Sequence, residues 1–491
     1  MQECSAWHIR AAYCVADTDY CIMSGLVAKS FAITIILDKI RIELRENVMK
    51  DLTKGKPSKI ILYFALPILI GNLFNLAYNL ADTRIVGTYL GNDALAAVGS
   101  ISTLNDLLVG FVVGLANGFA VITAQYFGKG KKETARKIFA LSLLIGVLVT
   151  AVIVAASLTF MDGMLDWMNV MEEHRTASAQ YITIIIVGLF FSVLYNVLAG
   201  SLRAIGDAYT PLIFLIISAG LNIVLDILCV KYLAMGVGGA AAATVAAQAV
   251  SAALCFIYTW KKYDFLHFKK KDFIPEKCYV KPMLESGLSM GLMSSLVAFG
   301  TLSLQTAINK LGTNTIVAHA ATRKLTNLYM LPFGVLGTAM ATYCGQNYGA
   351  GRYDRIKAGL KAALGYSYIW CVLVVIASYT ICPYLIIAIT DTKIQEVIDT
   401  ACLYQRVDTL FYLLVPTITI LRNSLQGMGD HITPIFSSGL ELAGKVVIAA
   451  VLTPVVGYWG IIAAEPTVWI VMAIPLIISM VRRMKKAKLM N

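Results

Sequence analysis

Charge is scarce in this sequence: Asp, Glu, Lys and Arg make up only 14% of its 491 residues. Soluble domains carry roughly 25% charged side chains, so a water-facing surface for a chain this long cannot be assembled from what is present. C-x-x-C pairs are also missing among the ten cysteines. Several of these (Cys229, Cys255, Cys371, Cys382) lie inside apolar runs, which leaves no sign of a disulfide framework or thiolate metal site. No Walker A, HExxH, nucleophile-elbow or metal-cluster pattern occurs. ATP is therefore not the expected energy source, no enzyme activity is expected, and no cofactor is called for. Despite a net charge of +12, no basic domain stands clear of the apolar runs, which argues against a nucleic-acid partner.

What is abundant is apolar: 58% of residues are hydrophobic and the mean hydropathy is +0.72. These residues come in blocks near the roughly 20 residues that a helix needs to cross hydrocarbon. Twelve spans are expected, near 58–85, 94–124, 138–160, 177–202, 208–230, 236–260, 283–308, 314–342, 358–380, 395–421, 432–453 and 458–481. Links carrying Gly, Asn and Asp separate them. If each block crosses once, the Lys- and Arg-rich segments 50–59, 129–137, 261–281, 352–361 and the C-terminal tail share one side. The positive-inside rule makes that side cytoplasmic, so both termini of the core are expected there, in a multi-pass protein of the cell membrane. Residues 1–48 stand outside this pattern and make a poor signal peptide; they are expected to be a dispensable extension, with a thirteenth span as the alternative.

The sequence also repeats itself. "LRAIGDAYTP" at 202–211 returns as "LQGMGDHITP" at 425–434, "QYFGKG" at 125–130 as "QNYGAG" at 346–351, and "GVGGAAAATV" at 236–245 as "GYWGIIAAEP" at 457–466. The common spacing implies two homologous halves, 49–270 and 271–491, of six spans each. An even number of spans gives both halves the same orientation: an all-α polytopic membrane protein with two six-helix lobes related by a parallel repeat. A substrate path is then expected between the lobes, worked by alternating access. Gly128, Gly130, Gly349 and Gly351 are expected to serve turns or caps, and Pro211 and Pro434 to sit near helix starts.

"NLADTRIVGTYLGNDALAAVG" (79–99), "SLRAIGDAYTP" (201–211), "LNIVLD" (221–226) and "YCGQNYGAGRYDRI" (343–356) resemble the multidrug and toxic compound extrusion (MATE) family, over about residues 52–480. The resemblance implies a secondary antiporter exporting amphipathic, often cationic, organic compounds against inward Na⁺ or H⁺ flow. It further implies two lobes arranged as a V and a coupling site at Asp82, Asn196, Asn222, Asp226 and Thr244, all in the first lobe. A Glu that one branch uses in the seventh span has no counterpart here.

Read alone, these residues point the same way. Charged groups within a bilayer are costly and mark function by default. Asn222 and Asp226 are four apart, hence on one helix face. Asp82 and Asp226 each end an outward-running span and can meet toward the outer leaflet, with Thr244 at similar depth and Asn196 nearer the cytoplasm. Two carboxylates in one dry site cannot both ionise cheaply, so such a pair would take up a proton or Na⁺. Alternatively, Asp82 pairs with Arg84 or caps a helix, Asp226 pairs with Lys231, and the two asparagines only join helices.

In the second lobe, Glu441 and Lys445 are expected to neutralise each other, Arg406 and Asp408 to lie near the outer surface, and Arg323 and Lys324 to snorkel. His319 is expected to be a satisfied polar residue, and Glu465 before Pro466 to mark a bend. Small organic substrates and the lipid bilayer are the expected partners of a monomeric chain. Two other functions fit the outline: flipping a lipid-linked precursor, for which the intramembrane Arg and Lys look too few and peripheral, and an enzyme acting on polyprenyl substrates, for which the loops are too short and basic.

Overall fold

The computed structural model describes residues 51–168, 170–390 and 394–490; the expectation for residues 1–48 lies outside the described residues. The first lobe comprises α1 (Pro57–Ser100), α2 (Ser102–Gly128), α3 (Lys132–Thr159), the short α4 (Met161–Trp167), α5 (Glu172–Ala204), α6 (Tyr209–Asp226) and α7 (Gly236–Lys262). In the second lobe the order is α8 (Lys277–Ile308), α9 (Thr313–Gly349), α10 (Tyr353–Thr380), α11 (Cys382–Thr390), α12 (Gln395–Leu410), α13 (Leu414–Gly427), α14 (Ile432–Val447), the single turn α15 (Thr453–Val456) and α16 (Tyr458–Met490). Helix is what a bilayer demands, because each backbone N–H and C=O must find its partner within the segment.

Ten described helices are long and apolar enough to cross a membrane. Two further crossings complete the expected twelve: α9, diluted by His319, Arg323 and Lys324, and the pair α12–α13, interrupted at residues 411–413. The tenth span was expected to run unbroken. The first span also runs further than expected, to Leu90, and stops where Gly91 takes φ 83° and ψ −175°. Residues 92–100 form a separate piece of helix, so the second span begins at Ser102 rather than at 94.

The repeat is plain in the helices. The short helices α4 and α11 begin at 161 and 382, 221 positions apart. π-helical turns follow α6 and α14 at Ile227–Tyr232 and Ile448–Leu452, again 221 apart at their starts. The "GD" loops use one device twice. Asp207 accepts from the Thr210 backbone N–H (3.0 Å) and hydroxyl (2.6 Å), and Asp430 from those of Thr433 (3.1 and 2.9 Å). Each carboxylate thereby satisfies a donor at a helix start that the helix itself leaves free.

Buried apolar side chains form one large core per lobe, but the lobes exchange their beginnings. Leu52, Ile61, Phe64 and Ala65, at and before the start of α1, pack in the second lobe's core. Met283, near the start of α8, packs in the first lobe's core.

Candidate functional site

α1 carries a polar stripe: Asn75, Tyr78, Asn79 and Asp82 recur at three- and four-residue steps and so share one face. That face meets α5, α6 and α7. Asn75, Tyr78 and Asn79 line a cavity of about 240 Å³ together with Ser192, Asn196, Asn222, Thr244 and Gln248. Asn222 donates to the Thr244 hydroxyl at 3.3 Å, Ser192 donates to Gln248, and Asn196 donates to the Ser192 carbonyl at 2.9 Å. Asn196 was expected nearer the cytoplasm than the others; it lines the same cavity, because α5 passes alongside both α6 and α7.

Asp226, fully buried, ends α6 one turn beyond Asn222, where the helix gives way to the π turn. Its carboxyl group interacts directly with that of half-buried Asp82, and the two tyrosines Tyr78 and Tyr181 stand within their field. Oδ1 of Asp82, both carboxyl oxygens of Asp226 and Oδ1 of Asn222 are buried without a regular hydrogen-bond donor. Buried acceptors ordinarily have partners, so this group of oxygens suits a proton shared between the acids or a small hard cation. The pairings considered in their place do not form: Arg84 is exposed, and the Lys231 ammonium lies over the rings of Tyr89 and Tyr232 at 5.2 and 5.6 Å. All five residues singled out in the sequence thus gather in one region. Tyr78, Tyr181, Ser192 and Gln248 were missed, although the polar stripe on α1 was readable from its helical spacing.

The second lobe is wired differently. Lys445 lies 3.1 Å from both Glu441 and Glu465; Glu465 also meets Arg323 at 3.4 Å, and Glu441 meets Arg422 at 3.4 Å. Glu441 and Lys445 do neutralise each other, as members of a buried network of five charges. Three expectations need correction. Arg323 does not snorkel, because Glu465 holds it inside. Asp408 is fully buried beside Tyr412 rather than near the outer surface, in the fields of Arg323 and Glu465. The intramembrane cations are neither few nor peripheral, although Arg323, Arg422 and Lys445 are all engaged by acids. His319 is satisfied as expected, its Nδ1 lying 3.2 Å from the Tyr458 hydroxyl.

The glycines of the repeated segments divide into two kinds. Gly130 and Gly351 adopt φ 73° and 71° and serve the turns expected of them. Gly128 and Gly349 do something else. A Cβ on Gly128 would lie 2.0 Å from the Gln346 carbonyl oxygen, and one on Gly349 would lie 1.9 Å from that of Gln125. The ends of α2 and α9 therefore touch across the lobe boundary. Beside them Gln125 donates to the Gly427 carbonyl at 2.9 Å and Gln346 to that of Ala204 at 2.7 Å. This crossed pair, on the basic face, was not foreseen.

The sequence model of the MatE family matches this chain twice, over residues 67–228 and 290–452. The chain belongs to the MatE family. Its two matched segments begin 223 positions apart, close to the spacing of the helical repeat. Among curated relatives, the probable multidrug resistance protein YoeA of Bacillus subtilis is 26% identical over 423 residues, covering 83% of this chain and 90% of the relative. The multidrug export protein MepA of Staphylococcus aureus is 24% identical over 433 residues, covering 86% and 94%. Among solved structures, a MATE protein in a bent conformation superposes with TM-score 0.83 at 24% identity, over 89% of this chain and 97% of that one. An outward-facing multidrug resistance MATE transporter gives TM-score 0.81 at 24% identity, over 89% and 98%. A MatE chain with this fold is a multi-pass membrane protein of twelve helices in two lobes.

Proposed function

We propose that this MatE protein exports small amphipathic, often cationic, organic molecules in exchange for Na⁺ or H⁺, by alternating access of a path between its lobes. The observation that carries the coupling half of this reading is the group of buried, unpartnered oxygens at Asp82, Asp226 and Asn222, beside a polar cavity completed by Asn196 and Thr244. At about 240 Å³ that cavity is smaller than the roughly 300–1,000 Å³ typical of ligand pockets. It suits a cation with its waters better than a drug-sized molecule, which is assigned to the space between the lobes.

Cation or proton binding at the two acids removes their mutual repulsion. It favours whichever lobe arrangement holds them together, and that differential affinity is what couples ion flow to transport. The export reading is supported by the names of the YoeA and MepA relatives. The Lys- and Arg-rich loops support a cytoplasmic position for their face and for both core termini. Both walls of the path come from one chain, so a monomer suffices. Export from proteoliposomes, under Na⁺ and proton gradients imposed separately, tests the proposal. Export driven by one gradient and abolished in Asp226→Asn supports it; export indifferent to both gradients refutes the antiport.

A further inference from the structure

Arg136 and Arg355 lie near the starts of α3 and α10, the corresponding helices of the two lobes, and each is only 8% exposed. A buried guanidinium must have its fixed fork of donors satisfied. Arg355, in the second lobe, donates to the carbonyls of Gly55 (2.7 Å), Lys54 (3.0 Å) and Leu52 (3.1 Å) and to Asn347 Oδ1 (3.0 Å). Those three carbonyls belong to the segment that leads into α1, the first helix of the other lobe. The grip is tightened by Gln346, which accepts from the Leu52 backbone N–H at 3.0 Å, and by Asn347, which donates to the Leu52 carbonyl at 3.2 Å.

Arg136, in the first lobe, pairs with Asp272 at 2.9 Å. Asp272 lies in the segment that leads into α8, the first helix of the second lobe, and it also accepts from the Lys269 backbone N–H at 2.7 Å. The neighbouring Lys137 pairs with Glu276, the last residue before α8. Each lobe therefore holds the lead-in of the other lobe's first helix through a buried arginine on the same face.

We propose that Arg136 and Arg355 are reciprocal clasps that hold the lobes together on the basic face, and so act as positioning residues of the transport cycle. Arg355 lies beside the crossed Gln346–Ala204 bond, since Leu52 bonds to both Gln346 and Arg355, so separating the lobes on that face strains clasp and crossed bond together. Hydrogen bonds to charged groups are the strong ones. Several acting together set the balance between closed and open basic faces. The proposal rests on the two-lobe transporter reading above, but its first test does not require transport.

Spin labels are attached through ketone-bearing residues at the exposed positions Lys131 and Lys357 of the full-length chain in nanodiscs, leaving the native cysteines in place. Pulsed electron–electron distances are recorded without substrate. The wild type should give mainly one short-distance population. Arg355→Ala and Arg136→Ala should each raise the long-distance population roughly tenfold relative to the short one, and the double variant should raise it further. Arg355→Lys, which keeps the charge but loses the fork, should recover part of the wild-type balance.

Substrate offered on the basic face should reach half-maximal export at lower concentration in Arg136→Ala, because the accessible state is more populated, while the maximal rate falls. A monodisperse double variant with the wild-type distance distribution overturns the proposal. If that variant does not fold, Asp272→Asn takes its place: a raised long-distance population supports the clasp and an unchanged one refutes it. Distances that respond while wild-type export fails would leave the clasp standing and remove the transporter reading.

Discussion

At the scale of single residues, what sets Asp226 apart is that a second carboxyl group, and no cation, stands beside it. Among the described residues, buried Glu441, Glu465 and Asp272 each have an Arg or Lys within 4 Å, while Asp207 is held by the hydroxyls of Thr210 and Tyr263 and Asp408 lies beside Tyr412. Asp226 has only Asp82. Asp226→Asn keeps the size and removes the ionisable oxygen, so export should fall to background while expression and membrane insertion stay unchanged; dye efflux from cells checks this. Asp82→Asn should leave export measurable but reduce ion flux per substrate in proteoliposomes, because Asp82 is the more accessible member of the pair.

A third residue speaks to pH. Burial works against the charge of Asp272, but the Lys269 N–H and the Arg136 guanidinium outweigh it and hold its carboxyl below the ordinary value of 3.8. A lowered value means that the stabilisation is complete above that ordinary value and is lost as pH falls through the lowered one. Label separation on the basic face should therefore stay constant from neutral pH down to about 4 and widen only in stronger acid. Asp272→Asn should be widened already at neutral pH.

At the scale of helices, close approach and charge each dictate a sequence choice. Gly128→Ala forces the ends of α2 and α9 apart, since no rotamer can move a Cβ that meets backbone at 2.0 Å. Overpacking of this kind costs about 1–3 kcal/mol, and the crossed glutamine bonds should fail with it; a lower unfolding temperature in detergent and slower export are expected. Lys445→Met leaves Glu441 and Glu465 buried with one cation fewer, and breaking such a network costs about 3–5 kcal/mol. The same thermal measurement should show that loss, and adding Glu441→Gln should restore part of it.

Much at this scale was legible beforehand. Apolar length located the spans, the i,i+4 spacing put Asn222 beside Asp226, and a repeated string marked the ends of α2 and α9. What the sequence could not display was contact between distant segments. Gly128 reads as a turn glycine until the carbonyl of Gln346 is seen against it, and Lys445 reads as half of a local pair until Glu465, on another helix, joins it. Asn196 was placed by depth along its own helix, whereas its neighbours are fixed by the crossing of three helices.

At the scale of the whole molecule, the duplication gives two lobes with one plan and opposite electrostatics. Corresponding helices carry a polar pair at the same spacing: Asn222 and Asp226 on α6, Glu441 and Lys445 on α14. In the first lobe that pair carries an acid with no ion-pair partner, whereas in the second it carries an acid neutralised by its own lysine. A gradient-driven assay should reflect this division. Neutral substitutions at Asp82 and Asp226 should change the ion dependence of transport, whereas those at Glu441 and Lys445 should change thermal stability first.

The exchange of lead-in segments between lobes also bears on how the chain is made. Leu52 bonds to Gln346 and Arg355, which lie 294 and 303 positions later in the chain. At about 5–20 residues per second, the ribosome delivers those partners roughly 15 s to a minute after Leu52 has emerged. Throughout that interval the beginning of the first helix has no resting place, and a nascent amino-terminal half cannot complete itself. Neither half should mature when synthesised alone, and the two should rescue each other when produced together in one cell.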